Sequence, residues 1–185
     1  MFSMSEAAEP NPIVLLTEEQ IAKRVQELAD QLSTAYAGKE PLVIGILKGS
    51  WIFLADLVRK MGIPVVIDFM TVSSYGASTR SSGAVRFVLD LKSPVEGRDV
   101  LVVEDILDSG LTLKYIIDNL KLRKPRSLNI VALMDKPARR RVDIRADYVG
   151  FEVPDKFVVG YGVDFAERYR NLPYVGYIEE PGVKG

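Results

Sequence analysis

Two residue types that carry much of protein chemistry, histidine and cysteine, are absent from this sequence of 185 residues. Their absence excludes a Ser-His-Asp triad, a cysteine nucleophile, a disulfide framework, a zinc finger and a histidine-bound zinc site built from this chain. No remaining side chain has an unperturbed pKa near neutrality, so acid–base chemistry falls to a carboxylate, a lysine or a tyrosine with a shifted pKa. Any metal is expected to be a hard cation with oxygen ligands, and Mg²⁺ is the leading candidate.

Long apolar runs and an excess of positive charge are also missing. No stretch approaches the roughly 20 apolar residues that span a bilayer. The first twelve residues lack the basic and apolar segments of a secretory signal. Lys and Arg (24) nearly balance Asp and Glu (25), so no global basic field attracts nucleic acid. These features predict a soluble, cytoplasmic protein that binds neither membrane nor nucleic acid.

The composition that is present is typical of a globular protein. Hydrophobic residues make up 48% of the chain and charged residues 26%, an ordinary balance for a folded domain. The length fits one domain with a substantial core. We expect residues 1–12 to form a disordered arm and residues 13–185 to form a single domain.

Helical and strand patterns alternate along the chain. Thr17 and Gln20 predict a capping box at the start of an amphipathic helix that ends near Tyr36. Two more helices are predicted over residues 51–60 and 111–122. Strands are predicted over residues 13–16, 42–47, 65–72, 84–91, 99–103, 127–134, 148–151, 158–160 and 174–178. This alternation predicts an α/β fold with a mainly parallel central sheet flanked by helices, and a small cap from the short strands near both ends.

The segment 100–112 is the most informative one, because its apolar strand ends in two adjacent acids, Glu104 and Asp105. A loop follows, and a helix begins near Leu111. Ligands of open α/β sheets bind beyond the carboxyl ends of the strands, and a helix N-terminus offers backbone amides to a phosphate. Two acids would repel that phosphate, so they suit sugar hydroxyls or Mg²⁺ better. From spacing alone, the alternative is Asp108 as an ordinary helix cap with two exposed acids at a strand end.

This segment resembles the signature of the type I phosphoribosyltransferases, which bind 5-phosphoribosyl 1-pyrophosphate (PRPP). Further matches narrow the resemblance to the hypoxanthine-guanine phosphoribosyltransferases. In the order of the family's motifs they are Leu47-Lys48-Gly49-Ser50, Ser74-Tyr75-Gly76, Lys136, the run 149–161, Asp164 and Arg170. The similarity extends from about Ile13 to Ile178. It implies a cap, or hood, from residues 13–16 and about 136–178, and a mobile lid loop over residues 73–83.

The resemblance also implies a reaction. The phosphoribosyl group of PRPP would pass to hypoxanthine or guanine, giving IMP or GMP and pyrophosphate, with Mg²⁺ as the cofactor. The ribose and its 5′-phosphate would be bound by Glu104, Asp105, Asp108, Ser109, Gly110, Leu111 and Thr112. Of these, Asp108 would also be the catalytic proton acceptor near purine N7, with helix capping as its alternative role. Leu111 stands where some relatives carry lysine, which removes a charge but keeps the backbone amide.

Three further sets of residues are implied by the same resemblance. Pyrophosphate would be bound by Leu47, Lys48, Gly49, Ser74, Tyr75 and Arg170, with a cis Leu47–Lys48 peptide in the family. The purine would be bound by Ile106, Lys136, Phe157, Val158 and Asp164. The metal would be bound by Glu104, Asp105 and Asp164. An ammonium at Lys136 could donate to the purine O6 and so select 6-oxopurines, while periodicity alone leaves Phe157 and Val158 as candidate core residues.

A basic cluster lies just beyond Lys136 and contains Arg139, Arg140, Arg141 and Arg145. Because acids are interleaved with it, we expect mostly a solvated or subunit-contact surface rather than a nucleic-acid site. The alternative functions are a xanthine-preferring or other phosphoribosyltransferase, and a non-catalytic PRPP-sensing regulator that binds RNA. The partners expected are small-molecule substrates, and the expected assembly is a homodimer or homotetramer.

Overall fold

Helices and strands alternate through the computed structural model, which describes residues 11–74 and 85–179. The helices are α1 (Glu18–Ala35), α2 (Trp51–Lys60) and α3 (Leu111–Leu122), with a 3₁₀ turn over Pro137–Arg139. The strands are β1 (Ile13–Leu16), β2 (Leu42–Ile46), β3 (Val66–Ser74), β4 (Val85–Leu89), β5 (Asp99–Leu107), β6 (Ser127–Asp135), β7 (Tyr148–Glu152), β8 (Phe157–Val159) and β9 (Val175–Ile178).

The central sheet has the strand order β4-β3-β2-β5-β6-β7, and its neighbouring strands are parallel except for β3 and β4. This arrangement confirms the predicted α/β fold with a mainly parallel sheet. Strand β2 is buried along its whole length and β5 through its first five residues, as expected for parallel strands covered on both faces.

Different helices cover the two faces of the sheet, because side chains alternate between faces along each strand. Val43 and Leu101 pack in a cluster that includes the apolar residues of α1 and α2. Ile44 and Val102, one position further along, pack in a second cluster with α3. The sheet is therefore held between two apolar layers, which leaves its carboxyl end as the place where polar groups can gather.

Helix α1 begins at the predicted capping box. The Gln20 backbone amide donates to the Thr17 hydroxyl at 3.2 Å, and the Thr17 amide donates to the Gln20 side chain at 2.8 Å. Further along, Arg24 of α1 reaches β7, the outer strand of the sheet. Its guanidinium donates to the carbonyl oxygens of Gly150 and Val149 at 2.9 and 2.8 Å.

A second, antiparallel sheet has the order β1-β9-β8 and joins the two ends of the chain. It contains residues 13–16, 157–159 and 175–178 of the predicted hood, whereas β7 belongs to the central sheet. Strand β5 is longer than predicted, so Glu104 and Asp105 lie inside it rather than after it.

Two of the predicted segments fall largely outside the described residues. Of the expected N-terminal arm, the structure describes residues 11 and 12, and of the expected lid it describes only residues 73 and 74, which end β3. Within residues 11–74 and 85–179, every helix is too short or too polar to cross a membrane.

Candidate active site

A cleft of about 250 Å³ opens at the carboxyl ends of β2 and β5. The turn after β2 contributes Leu47 and Gly49, and the last four residues of β5 contribute the opposite wall together with the segment 108–110 and the start of α3. These strands are neighbours in register, with Gly45 opposite Val103. Parallel pairing therefore brings two distant sequence motifs to one edge of the sheet, where ligands of such folds bind.

Glu104 and Asp105 line this cleft next to each other, so two carboxyl groups share one buried place. The carboxylate oxygen Oε2 of Glu104 is buried and has no hydrogen-bond partner among the described residues. Burial, and then the neighbouring Asp105 charge, raise the pKa of Glu104 well above its usual value. Burial likewise raises the pKa of Asp105 to about 6, although backbone amides and Arg170 act in the opposite direction. Both acids are thus suited to a ligand that brings hydroxyl donors or a cation.

The loop of residues 108–112, the phosphate loop, turns the chain from β5 into α3. Gly110 is the N-cap residue of α3 and has a φ of 81°, a left-handed conformation that other residues adopt at a cost. A Cβ atom there would lie 2.6 Å from Cγ2 of Ile144. The Ser109 hydroxyl accepts a hydrogen bond from the Leu111 amide at 3.4 Å. The first amides of α3 point toward the cleft end of the helix, as phosphate binding requires.

The position of Asp108 bears on its alternative role as a helix cap, while its role as proton acceptor stays a prediction. Gly110 rather than Asp108 occupies the N-cap position, and the side chain that accepts from the first amide of α3 is that of Ser109. The Asp108 oxygen Oδ1 is buried without a hydrogen-bond partner among the described residues, and Oδ2 lies 3.9 Å from Nζ of Lys136. The capping alternative is therefore wrong, and the carboxylate has an oxygen free to accept a proton.

Gly49 lies directly against Asp105. A Cβ atom at Gly49 would lie 1.7 Å from the Asp105 oxygen Oδ2, so no larger residue fits without displacing the carboxylate. The preceding Leu47–Lys48 peptide is cis, as the family resemblance implies. From the cap side, a Cβ atom at Gly162 would lie 2.1 Å from the Gly49 carbonyl oxygen. The turn after β2 is thus held closely between β5 and the cap.

Two cations are predicted to bind pyrophosphate, Lys48 of the turn after β2 and Arg170 of the cap. We call this part of the site the cap side, and both cations are already paired there. Lys48 Nζ lies 2.8 Å from Glu167, and the Arg170 guanidinium lies 2.8 Å from Asp164 and 3.5 Å from Glu167. Arg170 also donates to the Gly162 carbonyl oxygen at 2.8 Å, while its Nε has no partner among the described residues. Lys48 and Arg170, both predicted to bind pyrophosphate, therefore share one acidic neighbour.

The predicted purine residues have unlike environments. Lys136 is only 4% exposed, and its Nζ donates to the Lys156 carbonyl oxygen at 2.8 Å. Phe157 is 47% exposed and packs edge-to-face against Phe165 at 5.4 Å between ring centroids, whereas Val158 is buried. Ile106 lines the cleft and packs against the core. A core role therefore fits Val158 but not Phe157, which leaves much of the Phe157 ring accessible.

Not all predicted site residues gather at the cleft. Asp164 is bonded to Arg170 and to the Glu167 amide, and no three acidic side chains in the described part of the chain form a preassembled cation site. Ser74 is the last residue of β3, paired with Val85. Tyr75 lies outside the described residues.

Two residues of the site were not predicted from the sequence. Glu167 follows Asp164 in the matched stretch without any pattern of its own, so only the structure reveals its contact with Lys48. Arg140 belongs to the basic cluster that we expected to be mostly solvated or subunit-contact surface. That expectation is wrong for Arg140, whose side chain is 18% exposed and points inward, although Arg139, Arg141 and Arg145 are exposed.

The chain is similar to known proteins over most of its length. Residues 15–166 match the family model of the phosphoribosyl transferase domain. A hypoxanthine-guanine phosphoribosyltransferase of Bacillus subtilis (strain 168) is 55% identical over 90% of this chain and 92% of that protein. Another of Aquifex aeolicus (strain VF5) is 52% identical over 90% of this chain and 94% of its own length.

Solved structures agree with this assignment. A crystal structure of a hypoxanthine phosphoribosyltransferase from Staphylococcus aureus has a TM-score of 0.86 and 52% identity, and the match covers 90% of each chain. A match over half the chain by the family model, and relatives this similar over nearly their whole length, show the family. The chain belongs to the phosphoribosyltransferase family and, within it, to the hypoxanthine-guanine phosphoribosyltransferases.

Proposed function

We propose that this protein transfers the phosphoribosyl group of PRPP to hypoxanthine or guanine, giving IMP or GMP and pyrophosphate. This is a purine-salvage reaction, and its substrates are small molecules. A homodimer or homotetramer and a cytoplasmic location stay predictions from the sequence.

One observation carries the proposal: a single cleft combines the amino end of α3 with two buried carboxylate oxygens, one each of Glu104 and Asp108, that have no hydrogen-bond partner among the described residues. A helix N-terminus attracts a phosphate, and carboxylates bind the hydroxyl groups of a sugar. The two features lie next to each other along residues 104–112, as the two parts of a ribose 5-phosphate do. The cleft therefore fits a phosphorylated sugar better than a free nucleobase or a simple anion.

The reaction needs a proton acceptor beside the base. Purine N9 attacks the anomeric carbon of PRPP, the bond from that carbon to the pyrophosphate oxygen breaks, and the base loses one proton. Asp108 is the residue we assign to take it, because its Oδ1 has no competing hydrogen bond from residues 11–74 or 85–179 and Oδ2 lies 3.9 Å from the Lys136 ammonium. A carboxylate held within reach of the base is suited to general base catalysis.

The residues present fit a bound Mg²⁺. Mg²⁺ in proteins is usually held by one or two carboxylates, with water and substrate oxygens completing its shell, so Glu104 and Asp105 suffice without a third acid. Burial raises the pKa of both carboxyl groups, so a bound cation would stabilise their charged forms. When bound, Mg²⁺ neutralises negative charge on the substrate and the leaving pyrophosphate. Asp164 would become a third ligand of the metal only by giving up its ion pair with Arg170.

The cap side supplies charge for the leaving group. Lys48 and Arg170 would donate to pyrophosphate oxygens, with the planar guanidinium suited to a two-pronged contact. The exposed face of Phe157 would stack on the purine, and Lys136 would donate to O6 of a 6-oxopurine. Positioning and charge stabilisation, rather than a covalent intermediate, would supply most of the rate enhancement.

A spectrophotometric assay tests the proposal directly. The protein is incubated with Mg²⁺, PRPP and each of hypoxanthine, guanine, xanthine and adenine in turn. We expect hypoxanthine and guanine to be converted to nucleotides and adenine to be left unchanged. Consumption of adenine alone would refute the role given to Lys136, and the absence of any conversion would refute the catalytic function itself.

A further inference from the structure

Arg140 lies beneath the phosphate loop rather than in solvent. Its NH1 donates to the carbonyl oxygen of Asp108 at 3.1 Å and more weakly to that of Leu107 at 3.4 Å. Its NH2 is bonded to the carboxylate of Asp135, the last residue of β6. One guanidinium thus joins the end of β5 to the end of β6.

The surrounding segment shows what is particular about this contact. Three consecutive carbonyl oxygens, those of residues 107–109, accept hydrogen bonds from residues 136–141. Leu107 accepts from the Lys136 amide at 3.0 Å, and Ser109 accepts from the Arg141 amide at 2.9 Å. Both of these bonds are between backbone groups, whereas the Asp108 carbonyl receives its bond from the Arg140 side chain.

The stem of Arg140 adds a packing contact at the same place. A Cβ atom at Gly110 would lie 3.3 Å from the Arg140 Cδ atom, so the side chain runs under the turn that starts α3. On its other side, Asp135 immediately precedes Lys136, whose ammonium lies 3.9 Å from Asp108. Arg140 therefore bonds the backbone of Asp108 and the residue that precedes Lys136. In the proposed function, Asp108 and Lys136 are the two charged groups that face the purine.

We propose that Arg140 is a positioning residue, which holds the Asp108 backbone so that its carboxylate meets the base. The inference rests on the proton-accepting role that the proposed function gives to Asp108. Arg140 itself acts from below and contacts no reacting atom. Its planar fork matches the task, since one guanidinium can bond a carbonyl and a carboxylate at the same time, which a lysine ammonium on a flexible stem does less well.

The proposal predicts a particular kinetic pattern. Arg140→Gln should lower kcat by about tenfold to 100-fold, the range expected when a reacting group is misplaced by about 1 Å. The KM for PRPP should change by no more than about threefold, because the backbone bonds to residues 107 and 109 remain. Arg140→Lys should recover part of the lost kcat. The matched control is Arg145→Gln, which removes the same charge from the exposed part of the cluster and should leave kcat unchanged.

A double-mutant cycle separates positioning from general support of the fold. In an Asp108→Asn background, adding Arg140→Gln should change kcat by no more than about twofold, because the group that Arg140 positions is already disabled. The proposal would be overturned if the two substitutions lowered kcat independently, so that their effects multiplied. It would also be overturned if the fall in kcat only followed the fraction of protein that a thermal melt shows to be unfolded. If Arg140→Gln does not fold, Arg140→Lys is carried through the same cycle.

The cycle also distinguishes this inference from the proposed function. Full turnover in Asp108→Asn would refute the proton-accepting role and, with it, the role of Arg140. If the unmodified enzyme turns over and the effects of the two substitutions multiply, only the positioning role of Arg140 is refuted. Failure of the unmodified enzyme to convert any base would refute the proposed function before either variant is made.

Discussion

The two sides of the cleft hold their charges in opposite ways. On the sheet side, Glu104 and Asp108 each have a buried carboxylate oxygen without a partner in the described part of the chain. On the cap side, Lys48 and Arg170 are bonded to acidic neighbours within 2.8 Å. Both sides are predicted to bind parts of the same PRPP molecule. The ligand must therefore supply partners to the carboxylates of the sheet side, and it must replace the acidic partners of the cations on the cap side.

The pKa values of the acids follow this division. Burial raises the pKa of Asp105 to about 6 and that of Glu104 well above its usual value. A hydrogen bond and the charge of Lys48 instead lower the pKa of Glu167. The sheet side is therefore built at a cost that a ligand can relieve. On the cap side the Lys48–Glu167 pair is exposed and contributes little to stability, whereas the Arg170–Asp164 pair is partly buried.

The contact between the two sides is the most sensitive point of the site. Gly49→Ala should lower kcat/KM for PRPP by about 100-fold or more, since the added methyl group displaces the Asp105 carboxylate by more than the 1 Å that suffices for such losses. Steady-state kinetics with saturating base measure the effect. Gly62→Ala is the control, because a Cβ atom there meets nothing within 4 Å. Equal activity of both variants would mean that the two sides are not coupled through Gly49.

Removing one charge from the sheet side should separate activity from stability. Asp105→Asn should lower activity by about tenfold to 100-fold, the cost of losing a hydrogen bond to a charged group. In the ligand-free protein at neutral pH the same change should raise the free energy of unfolding by up to about 3 kcal/mol, since the charge whose pKa is raised to about 6 is removed. Denaturant melts without Mg²⁺ and PRPP measure this gain. A loss of stability would show that the Asp105 charge is already compensated.

The opposite pKa shifts should appear as opposite dependences on pH. The folded pKa of Asp105 is raised, so its contribution to stability is fully present below about pH 4 and is lost as the pH rises through about 6. The lowered pKa of Glu167 gives a contribution that is present at neutral pH and is lost only below about pH 4. Carboxyl NMR titrations of the ligand-free protein should resolve both groups, and Asp105→Asn should flatten the stability profile between about pH 4 and about pH 6.

The smallest effect is expected on the cap side. Glu167→Gln frees Lys48 from a competing carboxylate, so pyrophosphate should inhibit the variant at about twofold to fivefold lower concentration, in line with the small energy of an exposed pair. Product-inhibition kinetics measure this shift. Glu96→Gln changes an exposed glutamate at the amino end of β5 and serves as the control. Weaker inhibition of Glu167→Gln would mean that Glu167 orders Lys48 for the ligand rather than competing with it.

Much of the fold was predictable because local signals and the final structure agree. The capping box at Thr17 and the apolar spacing after it predicted α1, and both α2 and α3 match their predicted bounds. The end of β5 was predicted too early, because Glu104 and Asp105 interrupt the apolar run although the backbone continues in the sheet. Strand pairing with β6 holds this polar segment, and that pairing is not readable from residues 99–107 alone.

The site was predictable where a motif is contiguous and not where distant segments meet. The motif of residues 104–112 forms a wall of the cleft, as its order implied. Arg140 has three arginine neighbours in the sequence cluster, and nothing in the spacing distinguishes the inward side chain from the exposed ones. Its orientation depends on how the segment after β6 crosses under α3, which is a tertiary property. The bond from Lys48 to Glu167, 119 positions apart, is hidden in the same way.

The contact of Arg24 with β7 bears on how the outer strand of the central sheet is protected. An outer strand presents unpaired backbone groups that can recruit a strand from another molecule and start aggregation. Arg24 occupies the carbonyl oxygens of Val149 and Gly150 with a charged, bulky group from α1. The helix that builds the core thereby also supplies hydrogen bonds to the outer strand, so replacing Arg24 would remove two bonds that tie α1 to β7.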